Sequence, residues 1–142
     1  MTVRLSRVND AVHLCARSED GVEAHIDGSP AIGGTSAGLR PMEALLAALG
    51  SCAAMDMITI LQKQRAGLTH FEVVVEGERH QVGKSTPFSS IRLTFVLNAG
   101  IDHAKAERAA QLSVHEYCSV ADSLRPGVDI AYQLDYLDLE YP

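Results

Sequence analysis

The chain has no tryptophan and only 5% aromatic residues, so its core has to be assembled from aliphatic and small side chains. It has three cysteines in 142 residues, an odd number that cannot all pair within one chain. A chain of this length buries about two-thirds of the surface its unfolded form exposes and needs no disulfide framework, so free thiols in a reducing compartment are expected. Positive charge is scarce as well. Twelve Lys and Arg stand against 18 Asp and Glu, and the net charge of -6 repels phosphate backbones and anionic headgroups, excluding nucleic acid and membrane as expected partners. There is no CxxC pair and no HExxH. Gly33 and Gly38 have GxxxxG spacing, but Leu39 and Arg40 stand where a phosphate-binding loop needs Lys and Ser or Thr. The opening residues lack the apolar stretch and cleavage site of a secretory signal, which makes the cytoplasm the expected location.

What is present reads as a single domain over residues 1–142, of class α+β and element order β-β-β-α-β-β-α-β. Val3 to Val8 is extended, Asn9 and Asp10 suggest a two-residue turn, and Val12, Leu14 and Ala16 alternate with His13, Cys15 and Arg17. Asp20 and Gly21 supply the next turn before Val22 to Asp27, completing a three-stranded antiparallel meander. Gly28 to Arg40 is a loop. Pro41 to Arg65 then forms a long helix, with Pro at its first position, Glu43 in its first turn and Gly67 beyond its end. No charge occurs between Ala44 and Met55 and apolar residues cover every face, which predicts a helix buried all round, by sheet or by a partner subunit. The run between Glu43 and Asp56 is too short for a membrane span of about twenty apolar residues. Strands follow around Phe71–Glu76 and Ile91–Leu97. Asp102 can cap a second helix from His103 to about Cys118, with a stripe of small residues, and Val128 to Tyr136 alternate in a last strand.

Cys52 lies in the middle of the long helix and Cys118 at the end of the second. A free cysteine is more often a packed core residue than a reactive one. Gly50 weighs against that reading for Cys52, because glycine in a helix interior costs about 1 kcal/mol relative to alanine and marks a close approach or a functional constraint. If the two helices pack together, a Cys52–Cys118 disulfide is within reach. Asp56 lies one turn after Cys52 and His115 one turn before Cys118, so these four also form a conceivable zinc set, which keeps a metal-binding or hydrolytic protein open as an alternative. Glu43 lies nine residues before Cys52, which is about 180° of rotation and ~13.5 Å of rise on a straight helix. A Glu43 that acts on Cys52 chemistry therefore comes from a second subunit. Cys15, expected on an exposed strand face beside His13 and Arg17 with nothing else converging on it, reads as structural.

Arg40-Pro41-Met42-Glu43 opening the long helix, Gly50-Ser51-Cys52 at its centre, and Tyr117-Cys118-Ser119-Val120 later in the chain resemble the OsmC/Ohr family of peroxide-reducing proteins, over nearly the whole length. The resemblance implies an intertwined homodimer in which two central helices are enclosed by antiparallel sheets. It also implies a thiol peroxidase for small-molecule hydroperoxides. Cys52 would be the attacking thiolate and Cys118 the thiol that closes a disulfide on it; no bound cofactor is expected, and an external dithiol or lipoyl-type reductant would reset the pair. Glu43 would hold an arginine against Cys52. The family's arginine comes early in the chain, where Arg7 is the first candidate and Arg17 and Arg40 are the others. A non-catalytic, ligand-binding member of the same fold is the remaining alternative.

Overall fold

A computed structural model describes residues 1–137 and divides the chain into two compact units, Met1–Leu45 and the chain from Leu46 onward. The first unit holds an antiparallel meander of β1 (Val3–Arg7), β2 (Leu14–Ser18) and β3 (Glu23–Ile26), with β2 in the middle. The register pairs Ser6 with Cys15, Cys15 with His25, and Arg17 with Glu23. The turn expected at Asn9-Asp10 is a longer loop over residues 8–13. The Asn9 side chain organises it by accepting from the backbone N–H of Ala11 and His13, an alternative partner for groups that a strand ladder would otherwise use. The β2–β3 turn is as expected, with Gly21 at φ +83°.

Asp27 ends the meander and organises the loop behind it. Its carboxylate is 3% exposed and accepts hydrogen bonds from the backbone N–H of Gly28, Thr35 and Ala37 and from the Thr35 hydroxyl. These donors, Ala37 foremost, outweigh the opposing effect of desolvation and pull its pKa down to about 2.

The long helix, α1, spans Pro41–Lys63 and crosses from the first unit into the second. Its length and apolar composition would suffice to cross a bilayer. Within this chain it buries one face, made by Leu49, Gly50, Ala53, Met57 and Leu61, while Ala47, Ala48, Ser51, Met55 and Thr59 remain exposed, Met55 by 67%. The expectation of burial on every side is thus corrected for the single chain, because one sheet covers only one side of a helix.

That sheet consists of β4 (Phe71–Arg79), β5 (Phe88–Asn98) and β6 (Asp129–Leu137), in that spatial order. β5 is central, and its Ile91, Leu93, Phe95 and Leu97 are almost wholly buried. β4 runs antiparallel to it. β6 runs parallel, which corrects the all-antiparallel expectation: the chain returns from β5 through a helical crossover of the kind a parallel pair requires. Asn98 at the end of β5 pins the chain entering β4, accepting from the N–H of Thr69 and His70 and donating to the Gly67 carbonyl.

The crossover also differs from the single helix expected over 103–118. Helix α2 (His103–Leu112) is capped by Asp102 as predicted, a π-helical turn covers Ser113–Tyr117, and helix α3 (Ser119–Leu124) follows. Wholly buried Ala106, Ala109 and Ala110 give α2 its inner stripe.

Candidate active site

Gly50 explains how α1 lies so close to the sheet. A Cβ built on it would touch Val73 Cγ1 at an ordinary 3.7 Å but would stand 2.6 Å from Val75 Cγ2, well inside a carbon–carbon contact of about 3.5–4.0 Å. The glycine is therefore the close-approach residue that its cost in a helix suggested. Two residues on, Cys52 is half-buried.

Cys118 is the residue at which the crossover changes direction. The π-helical turn ends on it, and its own backbone is extended, with φ -73° and ψ 103°. Its Sγ accepts from the backbone N–H of Ala121 at 3.4 Å, so the thiol serves as the N-cap of α3 instead of ending α2. The thiol is 1% exposed, and desolvation pushes its pKa up, partly offset by the Ala121 N–H. The neighbouring Cys52 thiol acts in the same upward direction. The two thiols of the second unit are thus close enough to influence each other, one half-buried and one shielded. All three cysteines are free.

The other expected site residues are placed differently. Glu43 and Arg7 belong to the first unit. The Glu43 carboxylate accepts from the backbone N–H of Arg40, closing the start of α1. Arg7 folds over its own loop, donating from Nε to the Ala11 carbonyl at 2.8 Å and from Nη2 to the Asp10 carbonyl. Arg17 is held by Glu23 across the sheet.

The metal set drawn from Cys52, Asp56, His115 and Cys118 is not assembled among the described residues. His115 instead accepts from Arg125 Nη2 at 3.3 Å, with its ring 5.7 Å from that of Tyr132. Arg125 also donates to the Val114 carbonyl, which ties the π-helical turn to the end of α3.

A group that does gather was missed. Cys15 is buried, not on an open face, and Glu23 and His25 converge on it, one ligand atom of each lying within 4.8 Å of the others. Cys15 sits on the central strand between His13 and Arg17 on its own face and opposite His25, so a short thiol is covered by longer neighbours. The alternation of His13, Cys15 and Arg17 carried half of the signal; the β2–β3 register carried the rest.

The family described as OsmC-like protein matches residues 33–133, and the chain belongs to that family. Protein YhfA of Escherichia coli K12 is 36% identical over 96 residues, which are 67% of this chain and 71% of that protein. Among solved structures, a hypothetical protein from Aquifex aeolicus VF5 superposes with a TM-score of 0.76 at 25% identity, covering 96% of this chain and 97% of the other. An organic hydroperoxide resistance protein OsmC from Legionella pneumophila superposes at 0.69 and 16% identity, covering 95% and 97%, which speaks for the shared fold alone.

Proposed function

We propose that the protein is a thiol-dependent hydroperoxide reductase. One observation carries the reading: two free thiols, 66 positions apart in sequence, are neighbours close enough for Cys52 to act on the Cys118 pKa, with Cys52 half-buried and Cys118 enclosed. Membership of a family that includes organic hydroperoxide resistance proteins among its structural neighbours supports it.

The chemistry assigns each thiol by its surroundings. The Cys52 thiolate attacks the outer oxygen of a hydroperoxide, the O–O bond breaks, and an alcohol leaves once its alkoxide takes up a proton, so that Cys52 becomes a sulfenic acid. Cys118, kept protonated until then by burial, gives up its proton as its sulfur displaces hydroxide from Cys52. A Cys52–Cys118 disulfide and one water result. An external dithiol then returns both thiols by exchange and is itself oxidised.

The functional assembly in this reading is a homodimer in the cytoplasm. The exposed stripe of α1 through Ala47, Ser51, Met55 and Thr59 is apolar or small and suits a second helix. Glu43 would hold Arg7 toward the partner's active site, favouring the thiolate there. Glu43→Gln should then lower the rate, and mixed dimers of Glu43→Gln with Cys52→Ser should recover some activity.

The direct test treats the protein with one equivalent of an organic hydroperoxide and follows intact mass and alkylatable thiols. Loss of two hydrogens, with Cys52 and Cys118 recovered in one linked peptide, is expected. Cys118→Ser should instead accumulate a Cys52 sulfenic acid that dimedone traps. Three alkylatable thiols persisting after peroxide would overturn the proposal.

A further inference from the structure

The first unit carries a group that the thiol chemistry does not use. Cys15 Sγ, a carboxylate oxygen of Glu23 and a ring nitrogen of His25 lie within 4.8 Å of one another on one face of the β1–β2–β3 sheet. Cys15 and His25 are directly opposite across the β2–β3 ladder, and Glu23 is two residues before His25, so backbone register places all three side chains on the same side. His13 shares that face, with Nε2 2.9 Å from His25 Nδ1 and the two rings 5.0 Å apart.

The ligand types select the metal. One thiolate, one imidazole and one carboxylate are the mixed soft and borderline donors of zinc-class divalent ions, and they are a poor match for magnesium or calcium, which take oxygen. Tetrahedral bonds of 2.0–2.3 Å put ligand atoms about 3.3–3.8 Å apart, so the group needs to close by only about 1 Å. The imidazole–imidazole contact is a further sign. A ligating histidine commonly uses its second ring nitrogen to bond a fixed partner, and His13 offers that partner to His25. An ordinary surface ion pair would account for Arg17 and Glu23 alone. It would not account for a buried thiol with an imidazole and a carboxylate converging on it.

Arg17 is the opposing feature. Both of its contacts to Glu23 fall on Oε1, and its charge keeps the carboxylate ionised. It also raises the cost of bringing a cation alongside. Thiolate and carboxylate together match the charge of a divalent ion, which works against that cost.

We propose that this face of the first unit binds one zinc-class divalent cation through Cys15, Glu23 and His25, with a water completing the shell and His13 positioning the His25 ring. The Cys15 thiol loses its proton to solvent when the metal–sulfur bond forms, so binding weakens as pH falls. This site is independent of the peroxidase reading.

The test is calorimetric titration of the full-length protein with zinc chloride, repeated with cobalt(II) to look for thiolate-to-metal charge transfer. One ion per chain is expected, with both signals kept in a Cys52→Ser/Cys118→Ser variant. His25→Ala, at an exposed position that cannot compromise the core, and Cys15→Ser should each weaken binding at least ~tenfold and abolish the cobalt–thiolate band, with the metal-free melting temperature unchanged for His25→Ala. His13→Ala should weaken zinc ~tenfold, and His13→Gln, which keeps an acceptor, should restore part of the loss. Loss of binding in Cys52→Ser/Cys118→Ser but not in His25→Ala would move the site elsewhere and overturn the proposal, as would absence of binding in the wild type.

Discussion

Gly50 offers the sharpest quantitative test of the packing that positions Cys52. Replacing it with alanine has two opposed effects. The helix gains about 0.8–1 kcal/mol, because alanine loses less backbone freedom on folding than glycine. Against this, the new Cβ would fall 2.6 Å from Val75 Cγ2, so Val75 or the helix must retreat by about 1 Å. Val75 is β-branched on a strand, with Val73 standing on the same face, and has little rotamer freedom to yield; overpacking of this kind costs about 1–3 kcal/mol. The net expectation is about 1 kcal/mol of destabilisation, or roughly 2–4 °C in Tm for a chain of this size. Val75→Ala alone should cost about 1 kcal/mol for the two methyl groups it removes from a half-buried site. In the Val75→Ala background the obstruction is gone, and Gly50→Ala should become stabilising by about 1 kcal/mol. The double-mutant cycle therefore predicts a coupling of about 2 kcal/mol, read from urea midpoints at one fixed chain concentration, since association would shift them. Equal effects of Gly50→Ala in the two backgrounds, within about 0.5 kcal/mol, would refute the close-approach argument and leave the glycine without a packing role.

Three further outcomes follow from the same geometry. Cys118→Ser keeps an oxygen at the α3 N-cap and should unfold within about 0.5 kcal/mol of wild type, whereas Cys118→Ala should be less stable than Cys118→Ser by about 1 kcal/mol in urea. Asp27 has a pKa of about 2 against an ordinary unfolded value near 3.8, so its stabilisation is complete above about pH 4 and is lost as pH falls towards 2. Melting curves across that window should show a pH-dependent component that is missing in Asp27→Asn; the same slope in both proteins would contradict the assignment. Tyr132, pushed up to about 12 by burial and then by its hydrogen bond to Glu107, should be among the last of the four tyrosines to ionise in an ultraviolet titration, and Glu107→Gln should lower its midpoint. Its contribution to stability is full below pH 10 and disappears as pH rises through 12.

The parts of this fold that sequence makes legible are those governed by short-range rules. Period-two alternation located β2, β4, β5 and β6, turn residues bracketed β1 and β3, and Asp102 capped α2 where an acidic residue ahead of a helical stripe should. What escaped depends on tertiary context. The β6 direction is decided by how a thirty-residue crossover returns to the sheet, and alternation in a strand is the same whichever way it runs. The helix end near Cys118 is legible, but the π-helical turn before it and the short α3 after it are not, because no local residue signal separates them from ordinary helix and loop. Cys15 was misjudged for a third reason. Burial of a short side chain on a central strand depends on the length of its neighbours across the ladder, and His25 is ten residues away in sequence.

The break at Cys118 bears on the chemistry more than any boundary error would. Had α2 continued as a regular helix, Cys118 would lie in a helix interior, its backbone N–H and carbonyl committed to the ladder and its side chain unable to accept from a backbone donor ahead of it. The π-helical turn instead releases the chain so that the sulfur caps α3 and is held by Ala121, with Cys52 as its neighbouring thiol. A thiol fixed in this way is poorly placed to meet a substrate from solvent and well placed to meet a neighbouring sulfur, since a disulfide forms only when the approach is confined to a narrow range of distance and angle. The π-helical turn is in turn held by Arg125, whose Nη2 donates to the Val114 carbonyl at 3.1 Å and to His115 Nδ1. Arg125→Met should leave the first oxidation of Cys52 nearly unchanged and slow closure of the disulfide, so that sulfenic acid accumulates to a level between wild type and Cys118→Ser in a dimedone trapping assay. If Arg125→Met instead slowed the first oxidation and closed the disulfide at the wild-type rate, the arginine would be serving the peroxide and not the turn, and the positioning argument would fail.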